Sequence, residues 1–455
     1  MQALPLPLRT LAWLACALAF CVIVFGAFVR LSNAGLSCPD WPTCYGRITW
    51  PVKPAAVAKA DKAFPNRPVE THKAWREQSH RFLAGTLGVL VLVEALVATF
   101  ATKRRLGIVI AAVVLIGVGI PLYMAKDYVS SSVVAATGEA LLLGVAIFWR
   151  RAGWRRIAVL ALAVVCFQAL LGMWTVTWLL KPIVVSGHLL GGMATFALLA
   201  WVARQLSLLP LRSGEAALSA VGAELAGKGE SRRSRDAGVA RGLERAAVNG
   251  RIDARHQRRL LAETDSAPLP PFRRATGLFG AAVIGVVLLS GQIFLGGWTS
   301  SNYAALACGI GGSAFPTCLG QWWPAMDFHQ GFILWRGIGV DFQGGILDAT
   351  ARTAIQMVHR FGAVMVFGYL AWLAHKTDRA GLRGHAGALA VLLVAQVLLG
   401  ISNVVLGLPI AVAVAHTGGA ALLLFALVVL LARTQGMEAH LDVETASAVP
   451  ASATR

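Results

Sequence analysis

The chain has 455 residues, 57% hydrophobic and 14% charged. An ordinary soluble domain carries about 25% charged residues, so a soluble globular protein is excluded and an integral membrane protein is indicated. The net charge of +19 would suit nucleic acid, but the basic residues fall in short runs between apolar segments, as the positive-inside rule requires. Nucleic acid is therefore excluded, and no Walker A loop, zinc-finger spacing or Rossmann glycine pattern stands out.

Ten segments reach the roughly 20 apolar residues that span a bilayer: 11–31, 79–100, 106–125, 129–149, 157–178, 184–204, 275–298, 353–374, 386–406 and 411–432. The first is longer than a signal-peptide core and lacks a convincing cleavage site, so it reads as a retained helix. Basic runs at Lys103–Arg105, at Arg150-Arg151 with Arg155-Arg156, in the linker 205–272 and from Lys376 to Arg383 all fall on one side. That side is cytoplasmic. Both termini then lie inside, and 32–78 and 299–352 become long external loops. The stretch 213–266, poor in aromatics and rich in Arg, Glu, Gly and Ala, reads as a flexible cytoplasmic insertion, and 436–455 as a disordered tail.

The sequence repeats itself. His80-Arg81-Phe82 returns as His359-Arg360-Phe361. Gln168-Ala-Leu-Leu-Gly172 returns as Gln396-Val-Leu-Leu-Gly400 and as Gln292-Ile-Phe-Leu-Gly296. His188-Leu-Leu-Gly-Gly192 resembles His416-Thr-Gly-Gly419, and Gln168 to His188 and Gln396 to His416 are both steps of 20 residues. The expected fold is thus an all-α polytopic membrane protein of two pseudo-symmetric four-helix bundles. The N-terminal half is 1–204 and the C-terminal half 273–435. His80 to Gln168 spans 88 residues against 37 from His359 to Gln396, which makes 106–149 an extra hairpin inserted into an eight-helix core.

The topology sets His80, His188, His359 and His416 at one depth near the outer ends of inward-running helices. Ionisable side chains in a membrane are costly and usually have a partner. Imidazole is a haem axial ligand, and bundle interiors are where such sites are built, so each half could hold one haem between its two histidines. Arg81 and Arg360 directly follow two of them and suit bidentate contact with haem propionates, or simple interfacial placement. Glu77, three residues before His80, shares its helical face and could relay protons or merely complement the helix dipole. Cys38 and Cys44 share one external loop, Cys308 and Cys318 the other. In an oxidising compartment they are expected to form two disulfides, the first structural or redox-active. Neither pair has a haem-attachment pattern, so the haem should be non-covalent. His329 has no repeat partner and is not taken as a ligand.

With these motifs the chain resembles the haem A synthase family of cytochrome oxidase assembly. The carrying residues are Gly26 through Cys38 to Cys44, Glu77-Gln-Ser-His80-Arg81, Gln168 to Val176, His188, Gln292 to Thr299, His359-Arg360 and His416. On those motifs the resemblance covers both halves but not the hairpin 106–149 or the linker 213–266. It implies oxidation of the C8 methyl group of haem O to a formyl group by successive hydroxylations, giving haem A. It implies a haem b cofactor at His359 and His416 with Arg360, and substrate haem at His80 and His188 with Arg81. It implies a catalytic Glu77. It also implies an inner-membrane setting beside the haem O synthase prenyltransferase and cytochrome oxidase assembly factors, contact with membrane lipid, and an electron donor it does not identify; a homo-oligomer is left open. The residues alone fit equally a di-haem cytochrome b-type electron carrier. A transporter is disfavoured by the apolar helix centres, and the prenyltransferase by the lack of aspartate-rich motifs.

Overall fold

The computed structural model describes residues 6–149, 152–208 and 277–447. The linker 213–266 and residues 448–455 lie outside them. Ten of the described helices are long and apolar enough to cross a membrane, and the chain is a multi-pass all-helical protein.

The N-terminal half contains α1 (Leu6–Leu31), the short external α2 (Pro54–Ala63), α3 (Thr71–Thr99), α4 (Lys103–Met124), α5 (Tyr128–Phe148), α6 (Trp154–Thr177) and α7 (Pro182–Leu208). The C-terminal half contains α8 (Leu278–Ser301), the four-residue external α9 (Phe328–Gly331), α10 (Ala349–Arg379), α11 (Arg383–Val405) and α12 (Ile410–Ser447). In the first half α1, α3, α6 and α7 pack as a closed ring of neighbours, and in the second α8, α10, α11 and α12 do the same. The rings meet where α1 packs on α12 and α7 on α8. The hairpin α4–α5 lies outside the first ring, with α4 against α3 and α5 against α6. Gly138 seats the hairpin, since a Cβ there would fall 2.6 Å from the Ala112 carbonyl oxygen.

Helix limits differ most from expectation in two places. Helix α3 begins at Thr71 rather than 79, because residues 71–78 are polar yet helix-compatible and extend it beyond its apolar stretch. Glu77 therefore lies inside the helix, not above it. Helix α12 continues to Ser447, through the first part of the segment expected to be a disordered tail; a run such as Met437-Glu438-Ala439-His440-Leu441 contains no helix breaker.

The two external loops carry the same fold. Cys38 is bonded to Cys44 and Cys308 to Cys318. Each second cysteine sits in a tight turn, with Cys44 paired to Arg47 and Cys318 to Gln321. The second loop also reaches the first half. The Phe342 amide donates to the Leu179 carbonyl at 3.1 Å, Arg67 meets Asp341 at 3.0 Å, and Lys181 Nζ lies 3.4 Å from the centre of the Trp335 ring.

Candidate haem sites

Four structurally equivalent units hold the four histidines. His80 and His188 lie on α3 and α7, diagonal members of the first ring, and His359 and His416 on α10 and α12, diagonal members of the second. Opposite each imidazole the neighbouring helix offers a glycine. A Cβ would stand 2.9 Å from His80 Cε1 at Gly26, 3.4 Å from His188 Cε1 at Gly172, 3.3 Å from His359 Cε1 at Gly296 and 3.1 Å from His416 Cε1 at Gly400. A side chain would clash with the imidazole at Gly26, crowd it at Gly400 and Gly296, and meet it in ordinary contact at Gly172.

Three of the four histidines are also held by a glutamine. Gln168 Nε2 donates to the His188 carbonyl at 2.7 Å, Gln396 Nε2 to that of His416 at 3.0 Å, and Gln292 Nε2 to that of His359 at 2.9 Å, while also lying 3.0 Å from His359 Nδ1. The amide oxygen of each packs against the glycine three residues after its histidine: Gly191, Gly419 and Gly362. A Cβ at Gly191 would lie 2.7 Å from Gln168 Oε1. The glycine shared by the units is this third one, not the Gly-Gly pair apparent in the sequence. In the His80 unit the glutamine position is Val22 and the glycine position Leu83. Among the described residues no side chain donates to the His80 carbonyl.

Glu77 is buried at 4% exposure. One carboxylate oxygen accepts from the Cys38 amide at 2.9 Å and the Ser37 hydroxyl at 3.0 Å, the other from Arg81 Nη2 at 2.5 Å. Glu77 therefore ties the ligand helix to the disulfide loop. Its counterpart three residues before His359 is Gln356, buried with its amide oxygen unpartnered. The sequence signal was available, since both positions precede the His-Arg pair by the same step, but it emerges only once the repeat is applied to every position around the ligands. Arg81 donates to the carbonyls of Asp40 at 2.9 Å and Thr43 at 2.7 Å, and Arg360 to those of Thr317 at 3.0 Å and Ala314 at 2.8 Å. Both arginines grip the loop above their histidine. His329 is exposed on α9, away from these units. Glu94 is fully buried, with both oxygens unpartnered among the described residues, and nothing around it explains this.

The residues fit haem. Each ring of helices carries two histidines on diagonal members, and each imidazole lies against a glycine of a neighbouring helix of the same ring. Chemically, each bundle can offer two axial nitrogens in a dry interior. Only the first sets a carboxylate beside one of them.

The comparisons with known proteins agree with this arrangement. A family model described as cytochrome oxidase assembly protein, COX15-CtaA, matches residues 9–121, 127–226 and 254–428. The chain is 34% identical over 411 residues, covering 90% of each chain, to a haem A synthase of Shewanella oneidensis. It is 32% identical to a haem A synthase of Rhizorhabdus wittichii over 37% of this chain and 43% of the relative, and 34% identical to one of Sphingopyxis alaskensis over 32% and 36%. The motifs placed the hairpin and linker outside the resemblance. The family match overturns this for both hairpin helices apart from 122–126, and for the linker outside 227–253. With the family model matching most of its length and one relative aligned over 90% of each chain, the chain belongs to the COX15-CtaA family of cytochrome oxidase assembly proteins.

Proposed function

We propose that the protein is a haem A synthase, a haem-dependent membrane oxidoreductase that converts the C8 methyl group of haem O to the formyl group of haem A. The observation that carries the division of labour is the broken repeat. The half with His80 has Glu77 where the other has Gln356, and Val22 where the other has Gln292. The C-terminal half, 273–435, would hold a resident, non-covalent haem b between His359 and His416. Gln292 and Gln396 fix both ligand carbonyls there, as suits a group that stays. The N-terminal half, 1–204, would take haem O between His80 and His188, with His80 less rigidly held, as suits a group that arrives and leaves.

When bound, haem supplies the redox chemistry. The chain's own residues do the rest. His80 and His188 hold and orient the substrate ring. Glu77 holds its carboxyl group three residues from His80, fixed by Ser37, Cys38 and Arg81, where it can hold or pass a proton. The Cys38–Cys44 loop, gripped by Arg81, covers the outer end of the bundle and limits water. The guanidinium N–H groups of Arg81 and Arg360 left over by the loop carbonyls and, for Arg81, by Glu77 would serve the propionates. On this reading the protein would sit in the inner membrane with both termini cytoplasmic, work with the haem O synthase and cytochrome oxidase assembly factors, and take electrons from a donor that the residues do not identify.

The test is the pigment content of membranes expressing the chain together with a haem O source. Haem A or its hydroxylated intermediate is expected; absence of both overturns the reading in favour of an electron carrier. Glu77→Gln is expected to retain haem while losing product, and full product formation in that variant would reduce Glu77 to a loop anchor.

A further inference from the structure

An apolar groove of about 650 Å³ runs between the two halves, lined by Phe20, Cys21, Val24, Phe25 and Phe28 of α1 and by α12 residues such as Val414. Its volume is within the roughly 300–1,000 Å³ of small-molecule pockets. It borders the His80 site: Phe25, on its wall, stacks on the His80 imidazole at 6.4 Å between ring centres and 25° between planes. The neighbouring residue, Gly26, is the glycine against the Cε1 edge of that ring.

The repeat supplies a control. The equivalent crevice beside His359 lies between α8 and α7, with Phe294 in the place of Val24 and Trp298 in that of Phe28. Its outer end, around Phe294 and Trp298, is filled. Trp298 is 2% exposed, donates to the Gly331 carbonyl at 2.9 Å and stacks on Phe294. Ile183 packs into the same cluster. Gly297 brings α8 close to α7, so that a Cβ there would lie 3.3 Å from Ser186 Cα. One half therefore leaves open beside its haem site a space that the other closes with its own side chains.

We infer that the α1–α12 groove seats the isoprenoid tail of the substrate haem. The inference rests on the reading of the N-terminal site as the haem O site. Haem O carries a long farnesyl-derived tail and haem b does not, so an open groove beside one site and one closed at its outer end beside the other match that difference. In a bilayer the groove adds little hydrophobic affinity, because lipid tails are as apolar as its walls. What it adds is direction. A seated tail fixes the rotation of the macrocycle between His80 and His188, and with it the edge presented to Glu77.

Cys21 gives a direct readout, since it is a free, exposed thiol on the groove wall. Purified protein is treated with a small maleimide, without haem, with haem O or with haem B, and labelling of Cys21 is followed by peptide mass spectrometry. Haem O is expected to slow the labelling on the order of tenfold, with haem B having little effect. Equal protection by both haems, no protection by haem O, or protection by lipid alone before any haem is added would each overturn the proposal. Ala411→Trp, which fills the groove from α12, is expected to abolish the preference of the N-terminal site for haem O over haem B while haem B still binds; an unchanged preference would overturn it. Haem A formation by the unmodified protein is scored separately. Product with Cys21 unprotected sinks the groove alone, and protection without product sinks the synthase reading alone.

Discussion

Gly400 meets the edge of the His416 imidazole so closely that a methyl group there would stand 3.1 Å from Cε1, tighter than ordinary contact. His416 cannot yield easily, because Gln396 holds its carbonyl from the same neighbouring helix. Gly400→Ala is therefore expected to weaken haem b binding by about 1–3 kcal/mol, the usual cost of overpacking, or roughly five- to 150-fold. Haem titration of purified protein measures it, and unaltered affinity would show that the ring adjusts freely. A second residue-scale test concerns Tyr45, packed edge-on to Phe64 and donating to the Pro68 carbonyl at 3.2 Å. Burial, reinforced by Asp61, Glu77, Glu70 and Asp40, pushes its phenol up to about 12. The folded value lies above the unfolded value of about 10. The loop's stabilisation by the neutral phenol is thus complete below about pH 10 and is lost as pH rises through about 12. The phenolate absorbance of the protein minus that of Tyr45→Phe should titrate near 12; titration near 10 would mean that the loop does not bury this group.

Among the elements, the hairpin α4–α5 is the clearest addition to a repeated plan. Helices α3 and α6, which flank it, already pack on one another, and both hairpin ends return to the same side. A chain in which 103–149 is replaced by a short polar linker is expected to keep both haem sites and haem A formation while losing thermal stability, because the outer flanks of α3 and α6 lose their cover. Loss of haem from the shortened chain would instead make the hairpin part of the binding scaffold. All ten spans were legible as apolar runs of sufficient length, since a bilayer imposes length and hydropathy directly on sequence. The first eight residues of α3 were not, because its polar outer extension leaves no hydropathy signal. That extension is where Glu77 sits.

Across the whole molecule, two similar bundles have become unequal. His416→Ala is expected to remove the b-type spectrum of purified protein, whereas His80→Ala should leave that spectrum and abolish conversion of haem O. Optical spectra and extracted pigments of the two variants decide it, and a b-type spectrum that survives in His416→Ala would refute the assignment of the cofactor half. The sequence by itself determined the class, the spans and the cysteine pairs, and singled out four repeat-related histidines, because membrane burial and repetition are written in residue type and spacing. Only the tertiary structure decided what surrounds each of these histidines: the glycine behind every imidazole, the glutamine missing beside His80, the loop that holds Glu77, and the groove open beside His80 and closed at its outer end beside His359. These depend on which side chains from separate helices meet, and helix packing brings together positions such as Val24 and Val414 that no local pattern connects.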